Sequence, residues 1–251
     1  MLTSERKSLI LDRLRCDGRL VAKSFAEELN LSEDTIRRDL REMAADGLLA
    51  RVHGGALPVQ PILPDFAARK GVASGEKKRL GQLAATLVRA GETIFLDGGT
   101  TNAEIARALP RDFAFTVVTH SPTIAAELEH HPTAEIILIG GRIYRHSMVA
   151  VGSIASAAIA TMRPDIFFLG ATAVHSRHGF TTGDFEEAAI KRQIAFQSGR
   201  TYVTLTAEKL ERASPITIMP LEAATGVIVA GRAVAAQLEA MGSAGLDVLL
   251  A

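Results

Sequence analysis

Leu31-Ser32-Glu33-Asp34-Thr35-Ile36-Arg37-Arg38-Asp39-Leu40, continued by Arg41-Glu42-Met43, is the stretch on which the reading of this chain turns. Ser32 follows an apolar residue and is of the type whose hydroxyl accepts an orphan N–H at a helix start. Ile36, Leu40 and Met43 recur at i, i+4 and i+7, so the spacing predicts a helix with these three facing a core. Thr35, Arg37, Arg38 and Arg41 then face away from it, with Thr35 and Arg38 near the end that can reach into a groove. Guanidinium groups there can fork onto guanine edges or phosphate oxygens. The alternative is a solvated face salted by Glu33, Asp34, Asp39 and Glu42, the ordinary state of a surface helix.

The flanking residues decide between the two. A first helix over residues 6–15, with Leu9, Ile10 and Leu14 as its stripe, stops at Asp17-Gly18. A short second helix over 24–29, with Phe25, Ala26 and Leu29 inward, turns through Asn30-Leu31-Ser32 into the third. Downstream, Gly47-Leu48-Leu49-Ala50-Arg51-Val52-His53-Gly54-Gly55-Ala56 reads as a hairpin whose glycines suit the positive dihedrals of a turn. Arg51 and His53 would sit on that wing. Three short helices and a wing make a winged helix-turn-helix, whose third helix enters the major groove. Residues 1–57 hold 10 Lys and Arg against 10 Asp and Glu. A neutral head implies weak non-specific affinity and binding through two or more heads at once.

The chain has 251 residues, 47% hydrophobic and 22% charged, enough to bury a real core in two unequal domains. Its one cysteine, Cys16, excludes an internal disulfide and a cysteine-cluster metal site. No charged-then-apolar leader is present and no run approaches the ~20 apolar residues of a membrane span, so a soluble, cytoplasmic protein without membrane contact is expected. Pro58-Val59-Gln60-Pro61-Ile62-Leu63-Pro64 reads as an extended connector. The expected division is a head over 1–57, a linker over 58–75 and a body over 76–251.

The body alternates helices and strands. Helical patterns span 77–89 (Leu80, Leu83, Ala84, Leu87 and Val88) and 102–109, and Ser121-Pro122 opens another with a capping residue and a first-turn proline. Unbroken apolar runs at 93–96, 115–119, 135–139, 166–169, 201–205 and 227–229 predict a mainly parallel sheet covered on both faces, hence an α/β fold. Ligands in such sheets sit at the carboxyl ends of the strands.

That rule selects Asp97-Gly98-Gly99-Thr100-Thr101-Asn102, a loop between strand and helix. Its glycines permit close backbone approach, its hydroxyls can donate, and the helix N-terminus favours an anion. It has neither the Walker nor the dinucleotide spacing, and a plain connecting turn would look the same. Thr119-His120-Ser121 and Gly140-Gly141-Arg142 end the next two strands similarly, and Arg142 can pair with the same anion. Glu187 and Lys191, four apart, fit either a ligand role or a surface pair. His175, His178, His130 and His131 lack thiol or carboxylate neighbours at ligand spacing and read as loop histidines. No cofactor, metal ion or catalytic residue is expected.

Two motifs at a characteristic separation, Thr35-Ile36-Arg37-Arg38-Asp39-Leu40 and Arg51-Val52-His53-Gly54-Gly55-Ala56, resemble the N-terminal signature of the DeoR-type bacterial transcriptional regulators of sugar metabolism. The resemblance implies that Ser32, Thr35, Arg37, Arg38 and Arg41 lie at the operator and that Arg51, His53, Gly54 and Gly55 form the wing. It continues through Asp97–Thr101, Gly140-Gly141-Arg142, Gly152, Asp165 and the run Gly179-Phe180-Thr181-Thr182-Gly183-Asp184-Phe185-Glu186-Glu187-Ala188-Ala189-Ile190-Lys191-Arg192. That part is similar to the family's sensor domain, whose fold is related to ribose-5-phosphate isomerase and the CoA transferases. It implies a phosphorylated sugar or related effector, a homo-oligomer (dimer or tetramer), and roles in effector response for Arg69, Lys77 and Lys209. Thr206 and Ala230 stand where the family commonly has Asp. Two functions fit: a DNA-binding regulator, chiefly a repressor, or a sugar-phosphate isomerase or deaminase with an added head. For the second, Asp184, Glu186 and Glu187 are the candidate bases, though a helix N-terminus also accounts for them.

Overall fold

The computed structural model describes residues 2–58, 69, 71–231, 239 and 241–251. Helix α1 (Thr3–Asp17) leads into strand β1 (Leu20–Val21), α2 (Ala22–Glu28) and α3 (Glu33–Ala45). Strands β2 (Leu49–Val52) and β3 (Gly55–Pro58) form the antiparallel wing, and β1 pairs with β3. A two-residue strand leaves no period in the sequence, so β1 is legible only in three dimensions. Ser32 caps α3 by accepting the Thr35 amide at 3.2 Å. Ile36, Leu40 and Met43 are buried with Ile10, Leu14 and Phe25 in one small core. Gly54 alone supplies the turn's positive φ. Gly55 is required for a different reason: a Cβ there would lie 1.9 Å from the Leu20 carbonyl oxygen.

Three expectations for the head need correction. Leu9 is 41% exposed, because the contact line of α1 follows Ile10 and Leu14. Leu29 is only half-buried. Asp39 does not belong to the solvated face: it is buried, and the Arg6 guanidinium of α1 forks onto it, Nη2 to Oδ1 at 3.0 Å and Nε to Oδ2. This ion pair clamps the first helix to the third.

The 58–75 linker falls largely outside the described residues, and α4 (Ser74–Ala85) begins within it and stops at Ala85 rather than reaching 89. The body continues with β4 (Thr93–Leu96), α5 (Thr100–Ala108), β5 (Phe115–Thr119), α6 (Pro122–Glu127) and β6 (Ala134–Leu138). A hairpin of β7 (Arg142–Tyr144) and β8 (Val149–Val151) precedes α7 (Ser153–Ala160) and β9 (Ile166–Leu169). A second hairpin, β10 (Ala173–His175) and β11 (Gly179–Thr182), leads to α8 (Phe185–Gln197) and β12 (Arg200–Thr206). Strand β13 (Ile216–Met219) pairs with β11, and β14 (Gly226–Ala230) and β15 (Asp247–Leu250) complete the chain.

Seven strands form one parallel sheet in the order β15-β14-β12-β9-β4-β5-β6. Phe167 and Phe168 of central β9 point to opposite faces and enter two separate cores, both fully buried. Each such ring contributes ~1.5–3 kcal/mol relative to exposure. The expectation of cover on both faces fails at one edge: Ile136, Ile137 and Leu138 of β6 are 38, 37 and 49% exposed. The short antiparallel pieces from β7 to β13 were not foreseen. Ser121 precedes α6 but does not cap it, since its hydroxyl donates to the Met148 carbonyl at 2.8 Å. Because all seven strands run one way, their carboxyl ends share one rim. Among the described residues no helix is long and apolar enough to cross a membrane.

Removing Asp39 strands the Arg6 charge in the head's seam. Asp39→Ala should cost about 2–3 kcal/mol in urea unfolding, less than a deeply buried pair because the head is thin. An Arg6→Met/Asp39→Leu double variant should recover most of it. A loss below ~0.5 kcal/mol would mark the pair as an ordinary surface bridge.

Candidate functional site

Two surfaces carry the residues singled out above. On the head, Arg37, Arg38, Arg41, Arg51 and His53 are exposed. Ser32 Oγ lies 2.8 Å from Thr35 Oγ1, fixing the helix start. Arg37 is held by Glu33 through Nη2 at 2.7 Å, one turn back, and Arg41 donates to the Arg37 carbonyl at 3.3 Å. Arg38 makes no hydrogen bond or ion pair among the described residues. The head's charges cancel in sum but not in place, since the outward side of α3 and the wing carry four guanidinium groups.

The second surface is a cavity of about 420 Å³ at the rim of the parallel sheet. Gly98, Gly99, Thr100 and Thr101 line it, as do Glu187, Lys191, Lys209, Arg69 and Lys77. Gly99 takes a φ of 118° at the N-cap of α5 and so turns the chain from β4 into the helix. Asp97 lies beneath this loop with no exposed surface. Its Oδ1 accepts from the Gly98 amide at 2.7 Å and from His120 Nε2 at 2.9 Å, its Oδ2 from the Gly170 amide at 2.8 Å. Lys191 Nζ bridges Asp97 Oδ2 at 3.2 Å and Glu187 Oε1 at 3.1 Å. The other nitrogen of His120 lies 2.9 Å from the Ala150 carbonyl. Two carboxylates thus share one ammonium, and the first also takes a hydrogen bond from the His120 ring.

Burial works against ionised Asp97, but Lys191 and the His120 hydrogen bond prevail and hold its pKa at about 2. For Glu187 burial again opposes ionisation, and Lys191 with the Thr182 hydroxyl outweighs it, so the pKa is lowered. Lys209 is the opposite case. Burial first, then the neighbouring charges of Lys191, Lys77 and Arg69, lower it to about 8. Lys77 is lowered mainly by burial. Cations that depress one another in a partly dry cavity gain from an anion placed among them.

The other two strand ends do not converge on this cavity. Thr119, His120 and Ser121 are fully buried behind it: Thr119 donates to the Leu96 carbonyl at 2.7 Å and His120 supports Asp97. Gly140, Gly141 and Arg142 are exposed, and Arg142 turns outward to Glu186 at 3.1 Å instead of toward the anion site. The β7–β8 hairpin instead lies against the ends of β4 and β5, its Ala150 amide donating to the His120 carbonyl at 2.7 Å, and delivers Ser147 to the cavity wall. Glu187 and Lys191 are not a surface pair, being 4% exposed each. Asn102, the last residue of the selected loop, and Thr204, which sequence reasoning missed, are both 1% exposed and line the cavity. Asn102 Nδ2 donates to the Gly98 and Phe168 carbonyls, and among the described residues neither Asn102 Oδ1 nor Thr204 Oγ1 has a hydrogen-bond partner. The run at 201–205 holds three hydroxyls, Thr201, Tyr202 and Thr204, and nothing in it singles out Thr204.

His175 and His178, read as loop residues, place ligand atoms within 4.8 Å of each other and of Asp17. The Arg177 amide donates to His175 Nδ1 at 3.0 Å, which leaves the proton on Nε2, and the Arg177 guanidinium lies 3.3 Å from Asp17. A protonated nitrogen and a resident cation both oppose a metal ion there.

Two family profiles match the chain in succession. The profile of the DeoR-like helix-turn-helix domain matches residues 6–61, and that of the DeoR C terminal sensor domain matches residues 72–230. The HTH-type transcriptional regulator GlpR of Haloferax volcanii is 34% identical, covering 99% of this chain and 98% of the relative. The lactose phosphotransferase system repressor of Lactococcus lactis is 30% identical, covering 84% of this chain and 85% of its own. Among solved structures, ribose 5-phosphate isomerase A of Methanocaldococcus jannaschii superposes with a TM-score of 0.41 and 15% identity over 54% of each chain.

Asp97 takes up its proton at about 2 when folded and near 3.8 when unfolded. A depressed carboxylate stabilises above the unfolded value, and that contribution disappears as pH falls through the folded one. Urea titrations should therefore show a loss on the order of 2 kcal/mol from this group between pH ~4 and ~2. Asp97→Asn should be less stable at neutral pH, having left buried Lys191 with Glu187 as its one carboxylate partner among the described residues, and should lack that acid limb. An unchanged limb would assign it to another group.

Proposed function

The chain belongs to the DeoR family of transcriptional regulators, and we propose that it represses a carbohydrate-metabolism operon under the control of a phosphorylated sugar or related metabolite. Thr35, Arg37, Arg38 and Arg41 of α3 would meet the operator in the major groove, with Arg51 and His53 of the wing on the flanking backbone. The effector would occupy the cavity at the sheet rim. One observation carries this assignment: Lys77 and Lys209 are depressed by burial and, for Lys209, by neighbouring cations, in a cavity that also offers unmatched Asn102 and Thr204 oxygens. Cations in want of a counter-charge beside neutral hydrogen-bonding groups suit an anionic group on a hydroxylated carbon chain.

We further propose that the protein acts as a symmetric homo-oligomer. A neutral head needs a second head for useful affinity, and the apolar edge Ile136–Leu138 supplies surface for association. An isomerase or deaminase is the weaker reading. A general base works best with a pKa near the operating pH, whereas Asp97 sits at about 2 and Glu187 is likewise lowered and ion-paired. Sugar phosphates that raise the melting temperature should therefore be recovered unconverted.

Arg38→Ala should weaken specific operator binding by ~1–3 kcal/mol in a gel-shift titration if the side chain is bidentate to a base. Unaltered affinity removes Arg38 from the interface. On the sensor side, an anion favours protonated Lys209, so effector affinity should fall as pH rises from 7 to 9 through the value of about 8. Lys209→Met should bind more weakly and lose that dependence. A pH-independent wild type would place the anion elsewhere.

A further inference from the structure

We infer that the cavity is a composite site, walled in part by the DNA-reading head, and that a ligand in it holds the head against the body. This rests on the reading of the cavity as an effector site. Leu14 of α1, a member of the head's own core, lines the cavity beside Arg212, Ala213 and Ser214 of the body. One turn further, Gly18 ends α1 with a φ of 67° and lies against the same loop: a Cβ there would be 3.1 Å from the carbonyl oxygens of both Ala213 and Ser214. The loop is itself fastened to the β10–β11 hairpin, the Arg212 amide to the Val174 carbonyl at 3.1 Å and the Ser214 amide to Thr181 Oγ1 at 2.8 Å. Beside it, Asp17 accepts from Arg177 at 3.3 Å and lies 3.6 Å from His178.

Leu14, Asp17 and Gly18 thus touch the body in three ways, by an apolar wall, an ion pair and a close backbone approach. The cavity of about 420 Å³ is present with the head in place, so a small ligand need not expel it. Contacts made to Leu14 exist only in the docked arrangement. Such a ligand therefore favours docking, and docking raises ligand affinity by the same factor. The Arg6–Asp39 clamp carries the orientation of α1 to α3, so occupancy of the cavity sets the direction in which the recognition face points.

Hydrogen exchange on the full chain, with glucose 6-phosphate and inorganic phosphate as probes and potassium chloride as the ionic-strength control, tests this. Slower exchange at 97–103 together with slower exchange at 13–18 is the expected result with glucose 6-phosphate. Slowing at 97–103 alone overturns the composite site while leaving the effector site standing. No change in either segment with either probe removes the effector reading and this inference with it. As an independent arm, Arg177→Ala loosens the seam from an exposed position without touching the cavity. It should lower glucose 6-phosphate affinity twofold to fivefold, the range of a surface ion pair. Unchanged affinity in a variant of wild-type melting temperature would overturn the coupling.

Discussion

A carboxylate sealed from water at the end of a parallel strand constrains everything around it. Asp97 has no exposed surface, and a dry charge persists only when donors meet its lone pairs and an opposite charge stands beside it. Those donors come from separate parts of the fold: the amides of Gly98 and Gly170, the imidazole of His120 after β5, and the ammonium of Lys191 on α8. Strands β4, β5 and β9 must therefore be neighbours, and α8 must lie across their ends. The same requirement explains much of the long run from Gly179 to Arg192. Thr182 steadies Glu187, Asp184 caps α8 through the Glu187 amide, and Arg192 ties that helix to the Thr217 and Ile218 carbonyls of β13. Residues that read as ligand contacts are in large part the frame that positions Lys191.

With Asp97 and Glu187 both engaged by Lys191, the cavity's other lysines are the ones the proposed reading assigns to a ligand. Lys209 reaches the Ala171 carbonyl at 2.9 Å and Lys77 the Arg69 carbonyl at 2.8 Å, dipoles that only partly offset their charges. Glu208 is the one acidic neighbour that raises both. The division of labour is physical. In the proposed reading Lys209 and Lys77 are the charges that meet a ligand's anion, because Lys191 beneath them is already engaged by Asp97 and Glu187.

On the head, the same distinction between sum and placement decides what composition can say. Equal numbers of acids and bases predict a weak electrostatic pull toward a duplex. Burying Asp39 with Arg6 takes one pair off the surface, and Glu33 engages Arg37, leaving Arg38, Arg41 and Arg51 to dominate one side. A neutral head with a one-sided cationic face suits binding that depends on correct placement, and so on whatever fixes the head's orientation.

The capped third helix, the stripe Ile36, Leu40 and Met43, the wing and the six apolar strand runs were all legible, because capping and hydrophobic period are relations between near neighbours along the chain. The loop Asp97–Thr101 was legible for the same reason, as a glycine turn between strand and helix. What the sequence by itself determined was thus the third helix and wing of the head, six of the parallel strands and the one loop that lines the cavity. Only the tertiary structure decided that Asp39 and His120 are buried partners of charges, that Arg142 faces away, and that Leu14 of the head shares a wall with the body. Asp97 meets the Gly170 amide across 73 positions and Asp17 meets Arg177 across 160. Contacts of that separation are set by strand order and domain packing, and no local pattern records them.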